Sequence, residues 1–271
     1  MNGKEISKAI RSGKRVYGSL VMSTSPKWAA EIGKLGMDFV FIDTEHVPMD
    51  RAQVSWMCQT YKALNLAPVV RISSPDPFKA CEMLDGGATG IITPYTETVQ
   101  QVKDLVGAVK YRPLKGKKLY DVLDGKIKLD QKTDEYLKKW NEGNLLFLNI
   151  ESVPAMEALE EILAVPGIDG IIIGPHDLSI NLGIPEEYQS EDFERAVGEI
   201  IRKARAHNLG AGNHYSFGME REIGWIREYD MNIILDGNDL QGFIKYIGNN
   251  LRTIKDAVGD SSITIDGDVT I

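Results

Sequence analysis

Phe39-Val40-Phe41-Ile42-Asp43-Thr44-Glu45-His46 is an apolar run that stops abruptly in ionisable groups. Four β-forming residues in succession mark a strand buried on both faces, as a parallel sheet requires. Asp43, Glu45 and His46 then fall at its carboxyl end, where open α/β sheets and α/β barrels carry their chemistry. The stretch therefore predicts both a fold class and the position of a site within it.

Outward from this strand, seven similar runs recur at 16–22, 68–72, 90–94, 145–151, 170–174, 209–213 and 232–236, several rich in Ile and Val and flanked by glycine. Helical patterning fills the intervals. It is clearest at 27–35, with Gly36 as the expected C-cap, and at 99–109, 154–165, 193–207 and 243–258. Eight strands alternating with helices predict a single (β/α)8 TIM barrel over 1–260. A doubly wound sheet is the runner-up, and eight repeats would make that sheet unusually large. One excursion at about 112–144 interrupts the rhythm with a lysine-rich loop (Lys115-Gly116-Lys117-Lys118) and then a helix near 134–140. An insertion of that length after a barrel strand points to function or to an oligomer contact. The last residues, 261–271, read as a tail.

Bulk properties exclude several classes. The 271 residues carry a formal net charge of −8, the wrong sign for a nucleic-acid partner or an anionic membrane. Cys58 and Cys81 show no metal-ligand spacing and read as reduced core thiols. The Met1 end lacks a signal-peptide pattern, and no apolar run approaches the roughly 20 residues of a membrane helix. A cytoplasmic location is the expectation.

In a barrel the strand ends converge on one mouth. Besides Asp43, Glu45 and His46, that mouth receives Arg71, Glu151 and Asp177 from the third, fifth and sixth runs. Glu151 and Asp177, on neighbouring strands with no cysteine near, suit a hard divalent cation such as Mg2+, with Mn2+ or Co2+ tolerated. The plainer alternative for each carboxylate is a helix cap or an ion pair. His46 suits a general base because its ordinary pKa lies near working pH, and Asp43 could orient its ring. Arg71 offers fixed donors to a carboxylate or a developing enolate oxygen; its plainer role is partner to Glu45 or Asp43, and both can hold. His214 reads as a supporting residue just past the seventh strand, and His207 as a surface residue. No lysine interrupts any run, which counts against a Schiff-base mechanism. The glycines form no nucleotide-binding fingerprint.

Together, Ile42-Asp43-Thr44-Glu45-His46 with Pro48 and Asp50, Val69-Val70-Arg71, Asn149-Ile150-Glu151-Ser152 and Ile173-Gly174-Pro175-His176-Asp177-Leu178-Ser179 resemble the HpcH/HpaI aldolase family, the class II pyruvate aldolases. The resemblance implies a barrel of the phosphoenolpyruvate/pyruvate type and a divalent metal (Mg2+, Mn2+ or Co2+) on Glu151 and Asp177. It implies His46 with Asp43 as acid/base, and Arg71, Asn149, Gly174, Pro175 and His176 around the substrate, with Glu45 and His214 behind them. The implied reaction is reversible cleavage of a 4-hydroxy-2-oxo acid to pyruvate and an aldehyde. A homo-oligomer is also implied, commonly a hexamer that exchanges its last helix. Two positions depart from the family pattern. Asn149 replaces a longer glutamine, which would shorten or lose a contact to the keto oxygen. His176 replaces a small residue, and is expected to narrow the pocket, add a ligand or change the acceptor. The rival readings are a related 2-oxo acid lyase or decarboxylase on the same scaffold, and a non-catalytic barrel serving binding or assembly.

Overall fold

The protein, seen in a computed structural model that describes residues 1–214 and 218–260, is a closed barrel of eight parallel strands in sequential order, the first paired with the last. The strands are β1 (Val16–Leu20), β2 (Phe39–Asp43), β3 (Ala67–Arg71), β4 (Gly90–Thr93), β5 (Leu145–Ile150), β6 (Gly170–Ile173), β7 (Gly210–His214) and β8 (Ile233–Asn238). Closure excludes the doubly wound sheet.

The helices, in chain order, are α1 (Gly3–Arg11), α2 (Pro26–Ile32), α3 (Arg51–Ala63), α4 (Pro77–Asp85), α5 (Val99–Lys110), α6 (Gly116–Leu123), α7 (Gln131–Trp140), α8 (Val153–Glu157), α9 (Leu159–Leu163), α10 (Pro175–Asn181), α11 (Glu191–Ala206), α12 (Met219–Tyr229) and α13 (Asp239–Val258). Side chains alternate across each strand and form two cores. Val40, Ile42, Val70, Leu148, Ile171 and Ile173 face the helical ring. Phe39, Phe41, Val69, Phe147, Ile172 and Leu235 fill the barrel, whose amino end is plugged by Ile6 and Ile10 of α1. Burial on both faces is why the strands read as unbroken apolar runs. The inward series continues upward into the polar residues: Asp43 follows Phe41, Arg71 follows Val69, and Asn149 and Glu151 follow Phe147.

Helix ends depart further from expectation. The helix expected at 27–35 ends at Gly33, not Gly36, and Leu35 lies exposed beyond it. The pattern at 154–165 is broken at Ala158 into α8 and α9. The lysine-rich loop is instead the start of α6, which buries Leu119 and pairs Lys117 with Asp121 one turn on. The final helix starts four residues early, capped by Asn238. None of its residues is buried; Phe243, Tyr246, Leu251 and Ile254 all face solvent in the single chain. The tail at 261–271 lies outside the described residues. Among those described, no helix is long and apolar enough to cross a membrane.

Candidate active site

Register brings the first pair together. Asp43 and Arg71 stand side by side as neighbours on β2 and β3, and both point inward. Arg71 Nε donates to Asp43 Oδ1 at 2.9 Å and Nη2 to Oδ2 at 2.6 Å, a two-bonded fork. Asp43 is fully buried. Burial alone would raise its pKa, yet the Arg71 hydrogen bond and charge, with the Glu45 amide, hold it below the usual carboxylate range. Burial likewise works against the Arg71 charge, but Asp43, Glu45 and Glu151 outweigh it and strengthen the guanidinium's hold on its proton. Glu45 Oε2 lies 3.3 Å from Arg71 Nε and 3.7 Å from His46 Nε2.

Arg71 thus has Asp43 and Glu45 as its partners, the plainer role anticipated for it, and among the described residues no hydrogen bond joins Asp43 to His46. The hydrogen bonds of Asp43 go to Arg71 and to the Glu45 amide, and the carboxylate beside the His46 ring is Glu45. Asp43 is the last residue of β2 and points into the barrel, whereas His46 has already left the strand and is 45% exposed as a side chain. Spacing along the chain does not reveal that divergence.

The second group lies across the mouth. Glu151, just beyond β5, is only 2% exposed. Its Oε1 accepts the Tyr95 main-chain N–H at 2.8 Å, and its Oε2 accepts from Asn149 Nδ2 at 3.0 Å. Burial pushes the carboxyl up to about 7; the Tyr95 amide opposes this, the Asp177 charge adds to it, and Arg71 offsets part. Gly174, which caps α10, leaves the room that Glu151 occupies, because a Cβ there would displace Glu151 Oε2. Asp177, in the first turn of α10, accepts from the Tyr95 hydroxyl at 2.7 Å on Oδ1. The Asn149 carbonyl oxygen is buried with no hydrogen-bond donor among the described residues.

Tyr95 is absent from the sequence-level expectations. It follows Thr93-Pro94 at the end of β4 with φ at +43°, a left-handed conformation that costs a non-glycine residue about 1–3 kcal/mol. The one usable signal was its place, since a strand-ending proline puts the next side chain at the mouth.

Two further histidines, His176 and His214, make their contacts away from Glu151 and Asp177. His176 is exposed, with Nδ1 3.4 Å from the Tyr188 hydroxyl and 3.9 Å from Glu186. Its side-chain contacts are with the segment after α10. Pro175 is buried at the first position of the same helix. His214 is the last residue of β7, not a residue beyond it. Its ring meets Phe41 edge-on at 5.4 Å, and Nε2–H donates to the Gly237 carbonyl at 3.3 Å. Burial, with Arg71 nearby, lowers its pKa, which makes it a neutral packing group beneath the site.

The arrangement suits a cation better than a neutral ligand. A nearly sealed carboxylate, a second carboxylate and an undonated amide oxygen together present electron-rich atoms that burial leaves under-compensated. Among the described residues no three His, Cys, Asp or Glu side chains converge to hold a metal alone. Two carboxylates with water and substrate oxygens in the other positions are the pattern of Mg2+ and its analogues.

Comparison with known proteins agrees with the fold and narrows the chemistry. The model of the HpcH/HpaI aldolase/citrate lyase family matches residues 17–244. A 2-dehydro-3,6-dideoxy-6-sulfogluconate aldolase of Pseudomonas putida is 30% identical over 195 residues, 72% of this chain and 76% of that protein. A 2-keto-3-deoxy-L-rhamnonate aldolase of Salmonella gallinarum is 30% identical over 203 residues, 75% of this chain and 76% of its own. The crystal structure of an HpcH/HpaI aldolase from Desulfitobacterium hafniense superimposes with a TM-score of 0.79 at 24% identity, covering 92% of this chain and 96% of that one.

Proposed function

The chain belongs to the HpcH/HpaI aldolase/citrate lyase family, and from that premise we propose that it cleaves a 4-hydroxy-2-oxo acid reversibly to pyruvate and an aldehyde with the aid of a divalent cation. It is an enzyme, a carbon–carbon lyase of the class II pyruvate aldolase type. The observation that carries the metal reading is Glu151: a carboxylate sealed from water, with a second carboxylate in electrostatic reach and only neutral donors in contact.

Glu151 and Asp177 would hold Mg2+, Mn2+ or Co2+, and Asn149 braces Glu151 through its side-chain amide N–H. When bound, the ion supplies Lewis acidity toward the carboxylate and keto oxygens of a 2-oxo acid. Arg71, two strands away on β3, adds fixed positive charge. Asp43 and Glu45 occupy its Nε/Nη2 edge, which orients Nη1 for a ligand oxygen without rearrangement. In the cleavage direction His46 takes the proton of the C4 hydroxyl, the C3–C4 bond breaks, and its electron pair passes to the pyruvyl C3 while C4 becomes the aldehyde carbon. Glu45 Oε2 lies 3.7 Å from the ring's Nε2, close enough to orient it. A proton delivered to C3 completes pyruvate. Gly174 lets its backbone pass close to Glu151, and with Pro175 it would border the substrate.

A homo-oligomer accompanies this reading. A twenty-residue helix with no buried side chain is stable only against a partner, and a groove of about 320 Å3 between α2 and α3, lined by Pro26, Trp56, Met57 and Tyr61, offers apolar surface for it. A hexamer exchanging α13 fits both.

The test is pyruvate release from 4-hydroxy-2-oxo acids by the purified protein, before and after exhaustive EDTA treatment and after adding back Mg2+, Mn2+ or Co2+. Chelation is expected to abolish turnover and one of the ions to restore it. Full activity after chelation, or covalent trapping of pyruvate on a lysine by borohydride, overturns the proposal.

A further inference from the structure

We propose that Tyr95 is a positioning residue that sets the affinity of the barrel mouth for its divalent cation, holding Glu151 with its main-chain amide and Asp177 with its hydroxyl. The inference rests on the reading of those two carboxylates as the metal pair, and it adds a third strand to the site.

Glu151 follows β5 and Asp177 belongs to α10 beyond β6, so nothing in the sheet ladder fixes the distance between their side chains. Tyr95, beyond β4, touches both: its N–H lies 2.8 Å from Glu151 Oε1 and its hydroxyl 2.7 Å from Asp177 Oδ1. The left-handed backbone at Tyr95 makes the double contact possible, turning the amide toward Glu151 while the ring spans the mouth. Glycine would adopt that conformation without strain but has no hydroxyl to reach Asp177. A strained tyrosine at this place is explained by the side chain's reach. With Oδ1 engaged by the phenol, Asp177 presents its other oxygen to the ion in one orientation, and the entropy of ordering that carboxylate is spent before the ion arrives. The main-chain carbonyl of Asp177 also accepts from Asn181 Nδ2 at 3.0 Å, which does not orient the carboxylate.

Hydrogen-bond partners of metal-ligating carboxylates typically contribute about 10–100-fold in metal affinity. Mn2+ binding to the metal-free full-length protein, measured by calorimetry and by the electron paramagnetic resonance signal of free Mn2+, is therefore expected to weaken roughly tenfold in Tyr95→Phe, with an unchanged circular dichroism spectrum. Saturating Mn2+ should restore turnover in that variant, because the loss is one of affinity; a general structural defect would not be cured by more metal. Equal affinity in wild type and Tyr95→Phe overturns the proposal. Tighter binding by Tyr95→Phe overturns it too, since the phenol would then be a competitor for Asp177. Wild-type protein that takes up no Mn2+ removes the reading of Glu151 and Asp177 as metal ligands, and the role of Tyr95 with it.

Discussion

Asp169 beneath the barrel and Glu151 above it are almost equally sealed from water, at 3% and 2% exposure, yet their surroundings are opposite. Asp169 accepts from Ser7 Oγ at 3.0 Å, from Lys110 Nζ at 2.5 Å and from the Leu146 amide at 3.0 Å, with Arg11 at 3.6 Å. Two cations and two neutral donors saturate it, and it pins α1 and α5 to the barrel floor. Glu151 has two neutral donors, and its nearest negative neighbours push its pKa upward after burial has already done so. Burying a carboxylate is tolerable only when its charge is met. The floor meets that need within the chain, whereas at the mouth Arg71 offsets only part of it, and on our proposal a cation meets the rest. In this molecule incomplete compensation, rather than the presence of a buried acid, separates the reactive end from the structural one.

The largest expected effect lies at the mouth. His46→Ala is expected to lower kcat by about two to four orders of magnitude, the usual contribution of a general base, while leaving Mn2+ affinity and melting temperature unchanged. His46 is exposed, with Glu45 Oε2 3.7 Å from its ring, so little packing is lost. Steady-state kinetics beside a metal titration check this. Unaltered turnover would make the histidine a surface residue and bring the two ends of the barrel closer in character.

At the floor the same kind of change should act on stability alone. Lys110→Met removes one cation of the buried cluster. Breaking a fully buried pair costs about 3–5 kcal/mol; partial exposure of Lys110 and the remaining Arg11 place this case near the lower figure. In a chain of this size that corresponds to a fall of roughly 5–10 °C in melting temperature. Turnover measured well below the transition should match wild type. A loss of kcat without a loss of stability would contradict the division between floor and mouth.

Much of this was legible in the sequence, and the physics says which parts. Barrel strands are covered on both faces, so Phe39–Asp43 is visible as an unbroken run with its end marked by charge. Arg71, Glu151 and Asp177 are visible for the same reason. Helix ends are less so: surface residues such as Leu35 obey the helical period without being buried, and the break at Ala158 leaves the period intact. Pairings across strands are least legible. Sequence spacing left Asp43 two partners, His46 three residues on and Arg71 across the mouth, and the register between β2 and β3 is what sets Arg71 beside it. Tyr95 carries no charge and sits in an ordinary-looking turn; only its positive φ and the reach of its ring connect it to Asp177.

The smallest expected effect tests the comparison most directly. Glu151 has its folded-state pKa raised to about 7, above the unfolded value near 4.5, so the native metal-free protein binds more protons than the unfolded chain between those values. Stability then falls as pH rises from about 4.5 to about 7 and stays reduced above that range. Glu151→Gln removes the titration. The amide oxygen of glutamine can still accept from the Tyr95 N–H, and its NH2 group faces Asn149, whose undonated carbonyl oxygen can turn to receive it. In the metal-free state above pH 7 the variant should therefore be more stable than wild type by about 1–2 kcal/mol, with a flatter dependence of melting temperature on pH, while losing metal-dependent turnover. Asp169→Asn, made at the saturated site, should lower melting temperature throughout the same range. If both substitutions destabilise equally, Glu151 is as well compensated as Asp169, and the mouth holds no unmet charge for a cation to satisfy.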